Sequence, residues 1–281
     1  MNKIIDGKLV SSIIKENLKK EISSLDEKLT LVVIQVGNNE ASNIYVNKKI
    51  KLCNEMGINS IYKKYDDIDE ENLIKEIKKF NNDSSINGIL VQLPLPDSFN
   101  TKKVINSISY KKDVDGLTSI NLGKLYNNEE SIIPCTAKGI MKLLDYYNVL
   151  LEGKKVSIVG RSNLVGIPLF KLLLDRNCTV TMCHSKTKDL KSILKESDII
   201  ISATGKKGLI TFDMVKEGTV VIDVGISRIE NKIYGDVCFD EVEERASLIT
   251  KVPGGVGPMT VICLMENTLD CYKIQKNMKN L

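Results

Sequence analysis

G-K-K-V-S-I-V-G-R-S-N-L-V-G-I-P-L-F-K-L-L-L-D-R-N-C-T-V-T-M-C-H-S-K-T, residues Gly153 to Thr187, is the stretch from which the fold can be read. Val156 to Val159 is a β-branched apolar run, a glycine-containing turn follows, and Leu164 to Leu174 repeats its apolar residues at helical spacing. A second strand follows, so the segment reads as strand, turn, helix, strand. Backbone N–H groups and the positive end of a helix hold a pyrophosphate at such a turn, the Rossmann arrangement. The fingerprint is imperfect. Ser162 stands where G-x-G-x-x-G has its second glycine, Val165 where it has its third, and Gly166 comes one place late. A phosphate loop of the NTPase type is excluded, because five residues separate Gly160 from Gly166 and no Lys-Ser/Thr pair follows. A merely structural turn remains the alternative.

The end of the second strand bears on which dinucleotide would fit. An NAD site places Asp or Glu there to bind the ribose hydroxyls. This chain has Cys183-His184-Ser185-Lys186 and no acid. Arg161 in the turn would instead stack on adenine or pair with a ribose phosphate to which Ser185 also donates, which favours NADP, unless Arg161 is only a solvated turn residue.

Outward from this core, 281 residues suffice for two domains. A formal charge of +4 is spread over lysine-rich helix faces such as Lys15 to Lys20 and Lys75 to Lys79. With only 5% aromatic residues, this argues against nucleic-acid binding. No apolar run reaches the ~18 residues of a membrane span and no signal-peptide block opens the chain, so the expectation is a cytoplasmic protein without a membrane partner. Cysteines at 53, 135, 178, 183, 238, 263 and 271 form no C-x-x-C pair, which points to buried or inert thiols and to no metal. His184, the single histidine, sits beside the expected ribose site with no nucleophile elbow in view. A Ser-His-Asp triad is therefore disfavoured, and any general base must be Lys, Tyr, Asp or Glu.

Before the turn, the pattern predicts helices at Leu9–Leu25, Ala41–Met56, Asp69–Phe80 and Cys135–Tyr147, and strands at Thr30–Val36, Ile58–Tyr65 and Gly88–Leu93. On the first helix Ile13, Ile14, Leu18, Ile22 and Leu25 are expected on one face. Beyond it, strands are expected at Cys178–Met182, Asp198–Ser202 and Thr219–Asp223. A long last helix would carry Val261, Met265, Leu269 and Tyr272 as one stripe. The prolines at 94, 96, 134, 168, 253 and 258 read as rigid turns in loops. The expected fold is α/β with two domains. An N-terminal α/β domain with a parallel sheet, 1–140 plus 258–281, accompanies a Rossmann-type dinucleotide-binding domain, 141–257, and the C-terminal helix returns to the first domain.

Candidate chemistry in the first domain lies in three segments. Ser42, Tyr45 and Lys49 share one helix face, though Lys49 also fits a solvated position. Gln92 ends a buried strand at the carboxyl edge of a parallel sheet, where ligands bind, or else caps that strand. Asp115 in Lys112-D-V-D-G-L-T lies in a glycine loop and also fits an Asx turn.

Taken together, A-S-N-I-Y-V-N-K-K, V-Q-L-P-L-P, K-D-V-D-G-L-T, P-C-T, V-G-R-S-N-L-V-G-I-P, C-H-S-K-T, V-I-D-V-G-I and P-G-G-V-G-P-M-T make the chain resemble a known family over nearly its whole length. It is that of the bifunctional methylenetetrahydrofolate dehydrogenases and methenyltetrahydrofolate cyclohydrolases. The resemblance implies NADP-dependent oxidation of 5,10-methylenetetrahydrofolate, hydrolysis to 10-formyltetrahydrofolate, a place in one-carbon metabolism and purine biosynthesis, and a homodimer. It implies Lys49 as catalytic base and acid, Tyr45 as the ring stacking on the pterin, Gln92 as partner of Lys49 and Asp115 as pterin anchor. Gly160, Arg161, Ser162, Ser185 and Ile226 would bind NADP, with Thr260 nearby; no metal is implied. One departure is Ser227, where the family pattern leads us to expect Asn. Another two-domain NADP dehydrogenase is the alternative enzyme, but a hydroxy-acid substrate calls for an arginine clamp. Arg161, Arg176 and Arg228 precede Arg245, and none lies in the first domain. A non-enzymatic NADP-sensing module is the alternative from another class.

Overall fold

The computed structural model describes residues 3–230 and 232–277, Ala41 by its backbone alone. The first half of the chain forms β1 (Ile4–Ile5), α1 (Gly7–Ser23), β2 (Thr30–Val36), α2 (Glu40–Glu55), β3 (Asn59–Tyr65), α3 (Glu70–Asn82), β4 (Gly88–Val91), α4 (Thr101–Ile105), α5 (Ser119–Tyr126) and α6 (Cys135–Tyr146). The second half forms β5 (Lys155–Val159), α7 (Gly166–Leu174), β6 (Thr179–Cys183), α8 (Leu190–Lys195), β7 (Ile199–Ser202) and β8 (Val220–Asp223). It continues with β9 (Ser227–Ile229), β10 (Lys232–Tyr234), α9 (Phe239–Arg245), β11 (Leu248–Thr250) and α10 (Val256–Asn277). The fold is α/β throughout. Two compact units result, one of Ile13–Cys135 with the chain from Val261 onward, the other of the residues up to Ser12 with Thr136–Thr260.

In the first unit β2 is central in a parallel sheet of order β3-β2-β4. All seven residues of T-L-V-V-I-Q-V are buried, as the continuous apolar run of a doubly covered parallel strand requires. Val32, Ile34 and Val36 pack with Leu73 and Ile77 of α3 and with Ile89 and Val91 of β4. The segment of α10 from Val261 belongs to this unit. It is buried over more than the stripe expected: Ile262, Cys263, Leu264, Met265, Asn267, Thr268, Leu269 and Cys271 are all inaccessible. Polar residues survive there because they are bonded. Asn267 Nδ2 donates to the carbonyls of Val114 at 2.8 Å and Ile133 at 2.9 Å, and Gln275 Nε2 donates to those of Asn87 at 2.8 Å and Lys111 at 3.0 Å.

The other unit holds a six-stranded sheet of order β1-β11-β8-β7-β5-β6, every neighbouring pair parallel. Ile4 and Ile5, grouped with the first domain in the sequence pattern, pair with Ile249 and Thr250 at one edge of this sheet. Two further expectations change. Pro168 and Pro258 lie inside helices, each as the third residue of α7 and α10. The first-turn position explains this, since an N–H there has no intrahelical partner to lose. On α1, Val10, Leu18 and Ile22 are buried at four-residue multiples, whereas Ile13, one position off that row, is 40% exposed.

Candidate active-site residues and dinucleotide turn

In the three-stranded sheet the chain leaves β2 for β3 on one flank and returns to β4 on the other. Connections that part in opposite directions open a crevice at the carboxyl ends of the strands. Here that crevice lies between β2 and β4, and both edges carry candidate residues. The turn after β2 begins at Gly37, whose φ of +75° is one that glycine takes without strain. It ends at Asn39, whose side chain caps α2 by accepting from Ser42 N at 3.0 Å. Gln35, the one polar residue late in β2, is 1% exposed and fixes the helix from below. Its Nε2 donates to Asn43 Oδ1 at 2.6 Å, and its Oε1 accepts from Tyr62 Oη at 3.0 Å.

Ser42, Tyr45 and Lys49 then share a face of α2. Ser42 is 3% and Lys49 8% exposed, which removes the solvated reading of Lys49. Its Nζ donates to Gln92 Oε1 at 3.0 Å. Gln92 is the first residue beyond β4. Its N donates to Ile34 O at 2.8 Å and its Nε2 to Leu93 O at 2.6 Å, so the amide is held with its oxygen toward the lysine. The half-buried Tyr45 has Lys48 Nζ 5.7 Å from its ring centroid.

Asp115 is half-buried on the loop after the parallel bridge between Ile89 and Asp113, which ties that loop beside β4. The Asx-type role considered for Asp115 falls to Asp113. Its carboxylate, 1% exposed, accepts from Gly116 N at 3.0 Å, Thr118 N at 2.8 Å and Asn121 Nδ2 at 2.9 Å. Burial pushes the Asp113 carboxyl above the ordinary carboxylate range, hydrogen bonds from Thr118 and Asn121 oppose the rise, and the charge of Asp115 adds to it. Sequence reasoning misses Asp113, although a signal exists: it is the first acid of D-V-D, two places ahead of the residue before the glycine.

In the six-stranded sheet the order β7-β5-β6 places the reversal at β5. Gly160 follows β5 with φ +126°, and a Cβ on it would come 2.5 Å from Ala203 O. Gly166 opens α7, and a Cβ there would overlap the carbonyl oxygen of Gly160. The displaced third glycine therefore performs the close helix-to-strand approach of the fingerprint from one place later. Val159 pairs with Cys183, so exposed Arg161 and exposed Ser185 each stand two residues beyond paired strand ends on neighbouring strands. Ser162 is exposed in the same turn.

His184 braces the second turn: its Nδ1 accepts from Lys186 N at 3.1 Å, and its own N donates to Thr187 Oγ1 at 2.8 Å. Ile226 follows β8 and is 40% exposed, and Thr260 on α10 shares a 3.1 Å hydrogen bond with Thr136 on α6. Ser227, the departure from the family pattern, donates to Gly205 O at 2.6 Å. A glycine cradle beside an uncapped helix start, with a cation and a hydroxyl on the adjoining strand ends, fits a pyrophosphate and a ribose phosphate. Six of the seven cysteines are buried, and burial lifts the Cys53 thiol to about 12. No group of three or more His, Cys, Asp or Glu side chains suited to a metal occurs among the described residues, and none of the helices searched there is long and apolar enough to cross a membrane.

Comparison with known proteins matches both halves of the chain to one family. Residues 5–115 match the model of the tetrahydrofolate dehydrogenase/cyclohydrolase catalytic domain, and residues 134–276 that of the NAD(P)-binding domain of the same enzymes. This chain belongs to the tetrahydrofolate dehydrogenase/cyclohydrolase family. One family relative, the bifunctional protein FolD of Aquifex aeolicus, is 52% identical over 276 residues, 96% of this chain and 95% of its own. Among solved structures of the family, the bifunctional FolD enzyme of Campylobacter jejuni superposes with a TM-score of 0.94 at 47% identity, covering 97% of this chain and 99% of that one. The Trypanosoma brucei methylenetetrahydrofolate dehydrogenase-cyclohydrolase, solved with NADP and an inhibitor, gives 0.93 at 35% identity, with 97% of each chain covered.

Proposed function

We infer that this protein is a bifunctional one-carbon folate enzyme. It oxidises 5,10-methylenetetrahydrofolate to the 5,10-methenyl cation with NADP and hydrolyses that cation to 10-formyltetrahydrofolate. Family membership supports both activities, and the single observation that carries the residue assignment is the buried Lys49 amine 3.0 Å from an oriented Gln92 oxygen.

When bound, NADP supplies a hydride acceptor for the one-carbon bridge of the folate. Gly160 and Ser162 would hold its pyrophosphate, Arg161 and Ser185 the ribose phosphate, and Ile226 the nicotinamide side, with Thr260 nearby. In the oxidation the bridge carbon loses a hydride and becomes a cation conjugated to its two nitrogens. That step needs alignment and no proton acceptor. Tyr45 would stack on the pterin, and Asp115 would accept from its amino group and ring N–H as a bidentate partner.

Hydrolysis moves protons. Water adds to the bridge carbon and loses one proton; as the bond from carbon to N5 breaks, N5 gains a proton and the remaining hydroxyl gives up its own to solvent, leaving the formyl group on N10. Lys49 is the group assigned to take the first proton and deliver the second, and Gln92 holds its amine in place. Both ends of the sequence thus use one amine. The formyl product suits a formyl-transferring step such as those of purine biosynthesis. A cytoplasmic location and a homodimer complete the proposal.

The deciding measurement is absorbance of the methenyl product after methylenetetrahydrofolate is mixed with NADP or with NAD. Rapid formation with NADP, followed by decay to the formyl compound, is the expected course. No reduction of either dinucleotide would overturn it.

A further inference from the structure

The sheet reversal at β5 gives the dinucleotide crevice a direction. Arg161 and Ser185 mark the adenosine end on β5 and β6, so a dinucleotide lying across the reversal extends toward the ends of β7 and β8. Two segments form that far side: Ala203 to Lys206 after β7, and Val224 to Ser227, which runs from the end of β8 to the first residue of β9. Between them lies a side chain that no step above uses.

Asp236 is 0% exposed. Its Oδ2 accepts from Ser202 Oγ at 2.7 Å, Thr204 N at 2.7 Å and Thr204 Oγ1 at 2.9 Å, and its Oδ1 from Lys206 N at 2.8 Å. Four donors from one short segment converge on one carboxylate. On its other side the carboxylate abuts Gly225, where any Cβ would overlap both of its oxygens. The residue after Gly225 is Ile226, and the next is Ser227, whose hydroxyl bonds back to Gly205 O at 2.6 Å. Asp236 is itself held by its neighbour: its N donates to Asp223 Oδ1 at 2.9 Å, while Val237 N donates to Asp223 Oδ2 at 3.0 Å. Asp223 is the ionisable group facing it across this contact, itself only 3% exposed.

A buried charge with this many donors is costly to leave unmatched and orders whatever supplies the donors. The donors here are backbone N–H groups and hydroxyls of the β7 loop, so the charge fixes loop shape rather than touching a ligand. We propose that Asp236 is a positioning residue for the hydride-transfer half of the reaction, setting the Ala203–Lys206 and Val224–Ser227 loops against the nicotinamide half of NADP. This rests on the NADP reading of the unit. Arg161 and Ser185, assigned to the ribose phosphate beyond β5 and β6, are not among the groups bonded to this carboxylate. Hydrolysis of the methenyl cation is not expected to depend on it either, since its assigned residues stand on α2, just beyond β4 and on the Asp115 loop.

Asp236→Asn tests the inference because it keeps the shape and volume while turning one oxygen, surrounded by donors, into another donor. Binding of NADP and of the fragment 2′,5′-ADP is measured by calorimetry, with the dehydrogenase rate and the hydrolysis of added methenyltetrahydrofolate assayed in parallel. The expected result is a fall of about tenfold or more in NADP affinity and in dehydrogenase kcat. Affinity for 2′,5′-ADP and the hydrolysis rate should stay within about twofold, since neither uses these loops. Unchanged NADP binding and dehydrogenase rate would overturn the proposal, as would equal losses for NADP and 2′,5′-ADP, which signify collapse of the whole unit. Should Asp236→Asn fail to fold, Thr204→Val decides in the same assays: it removes one donor, and about a threefold shift in the same direction is expected against none. A wild-type protein that binds neither NADP nor 2′,5′-ADP would overturn the cofactor reading, a different outcome from a variant that behaves like wild type.

Discussion

Gly166→Ala should separate the dinucleotide turn from the rest of the molecule. The added Cβ would run into the Gly160 carbonyl oxygen and lie 2.9 Å from that carbonyl carbon and 3.1 Å from Arg161 Cα. All three are backbone atoms, so no side chain can rotate away. Carbon atoms rest comfortably at ~3.5–4.0 Å, and with the oxygen contact the tightest of the three the turn must retreat by roughly 1 Å. Overpacking of this kind costs ~1–3 kcal/mol. At ~2–4 °C per kcal/mol for a chain of this size, the melting temperature should fall by roughly 2–12 °C. The larger effect is catalytic. The atoms displaced are those assigned to the phosphates, and a shift of ~1 Å in a positioning element costs on the order of 100-fold in rate. Gly123→Ala is the control. Gly123 lies inside α5, where an added Cβ would meet nothing beyond its own helix within 4 Å, and the change should gain ~0.5–1 kcal/mol. The assays are thermal melting, NADP titration, and the two half reactions. Wild-type melting and NADP reduction in Gly166→Ala would refute the close-approach reasoning, and so would an equal loss in methenyl hydrolysis.

Lys49→Gln should lower methenyl hydrolysis by ~100-fold or more while NADP reduction persists at a lower level, so that methenyl product accumulates; hydrolysis at near the wild-type rate would move the base elsewhere, with Asp115 next to test. Arg161→Ala should weaken NADP by ~1.5–3 kcal/mol relative to NAD in binding titrations, and equal losses would remove the phosphate role. Burial first, and then the charge of Asp236, raise the Asp223 carboxyl from 3.8 to about 7, so between those values the folded protein holds a proton that the unfolded chain has released. Stability from this group is therefore lost as pH rises from about 4 to about 7, by ~4 kcal/mol at ~1.4 kcal/mol per pKa unit. Asp223→Asn abolishes the titration. Urea unfolding should show its stability relative to wild type rising over that window and level above about pH 8, whereas a pH-independent offset would report only the lost acceptor.

Most of the fold is legible because periodicity is written in long elements. β2, α2, α3 and β5 declare themselves through runs that burial then explains. The short pieces do not: β1 and β11 are only two and three residues long, and β9 and β10 form a small hairpin, too little sequence for a period to show. Pro168 and Pro258 mislead because the tolerance of a first helical turn for proline depends on where the helix starts. The fingerprint looks weak at Val165, yet the geometry supplies its third glycine from Gly166. Lys49, Gln92 and Tyr45 are nameable, but that Lys49 is buried follows from Gln35, Asn43 and Tyr62, which fix α2 from the sheet. Asp113 and Asp236 stay hidden for a common reason: an acid close to a glycine looks like a turn in one dimension, and only converging donors from elsewhere in the chain distinguish a structural hub.

The division of α10 after Thr260 has a bearing on synthesis. The unit that carries Lys49 is complete only with residues from Val261 onward, and the intervening Thr136–Thr260 belong to the other unit. A ribosome adding ~5–20 residues per second therefore releases Tyr45, Lys49, Gln92 and Asp115 many seconds before Asn267 can meet the carbonyls of Val114 and Ile133. Until then the nascent unit has two buried-to-be carbonyls without their partner and an apolar surface awaiting Met265 and Leu269. The dinucleotide unit likewise joins the residues up to Ser12 to Thr136–Thr260, so it too waits on chain made long after the other unit's Ile13–Cys135. Completion of the Lys49 unit thus waits on Met265, Asn267 and Leu269, and a ribosome stalled before them would hold a long, unfinished chain of the kind that chaperones recognise.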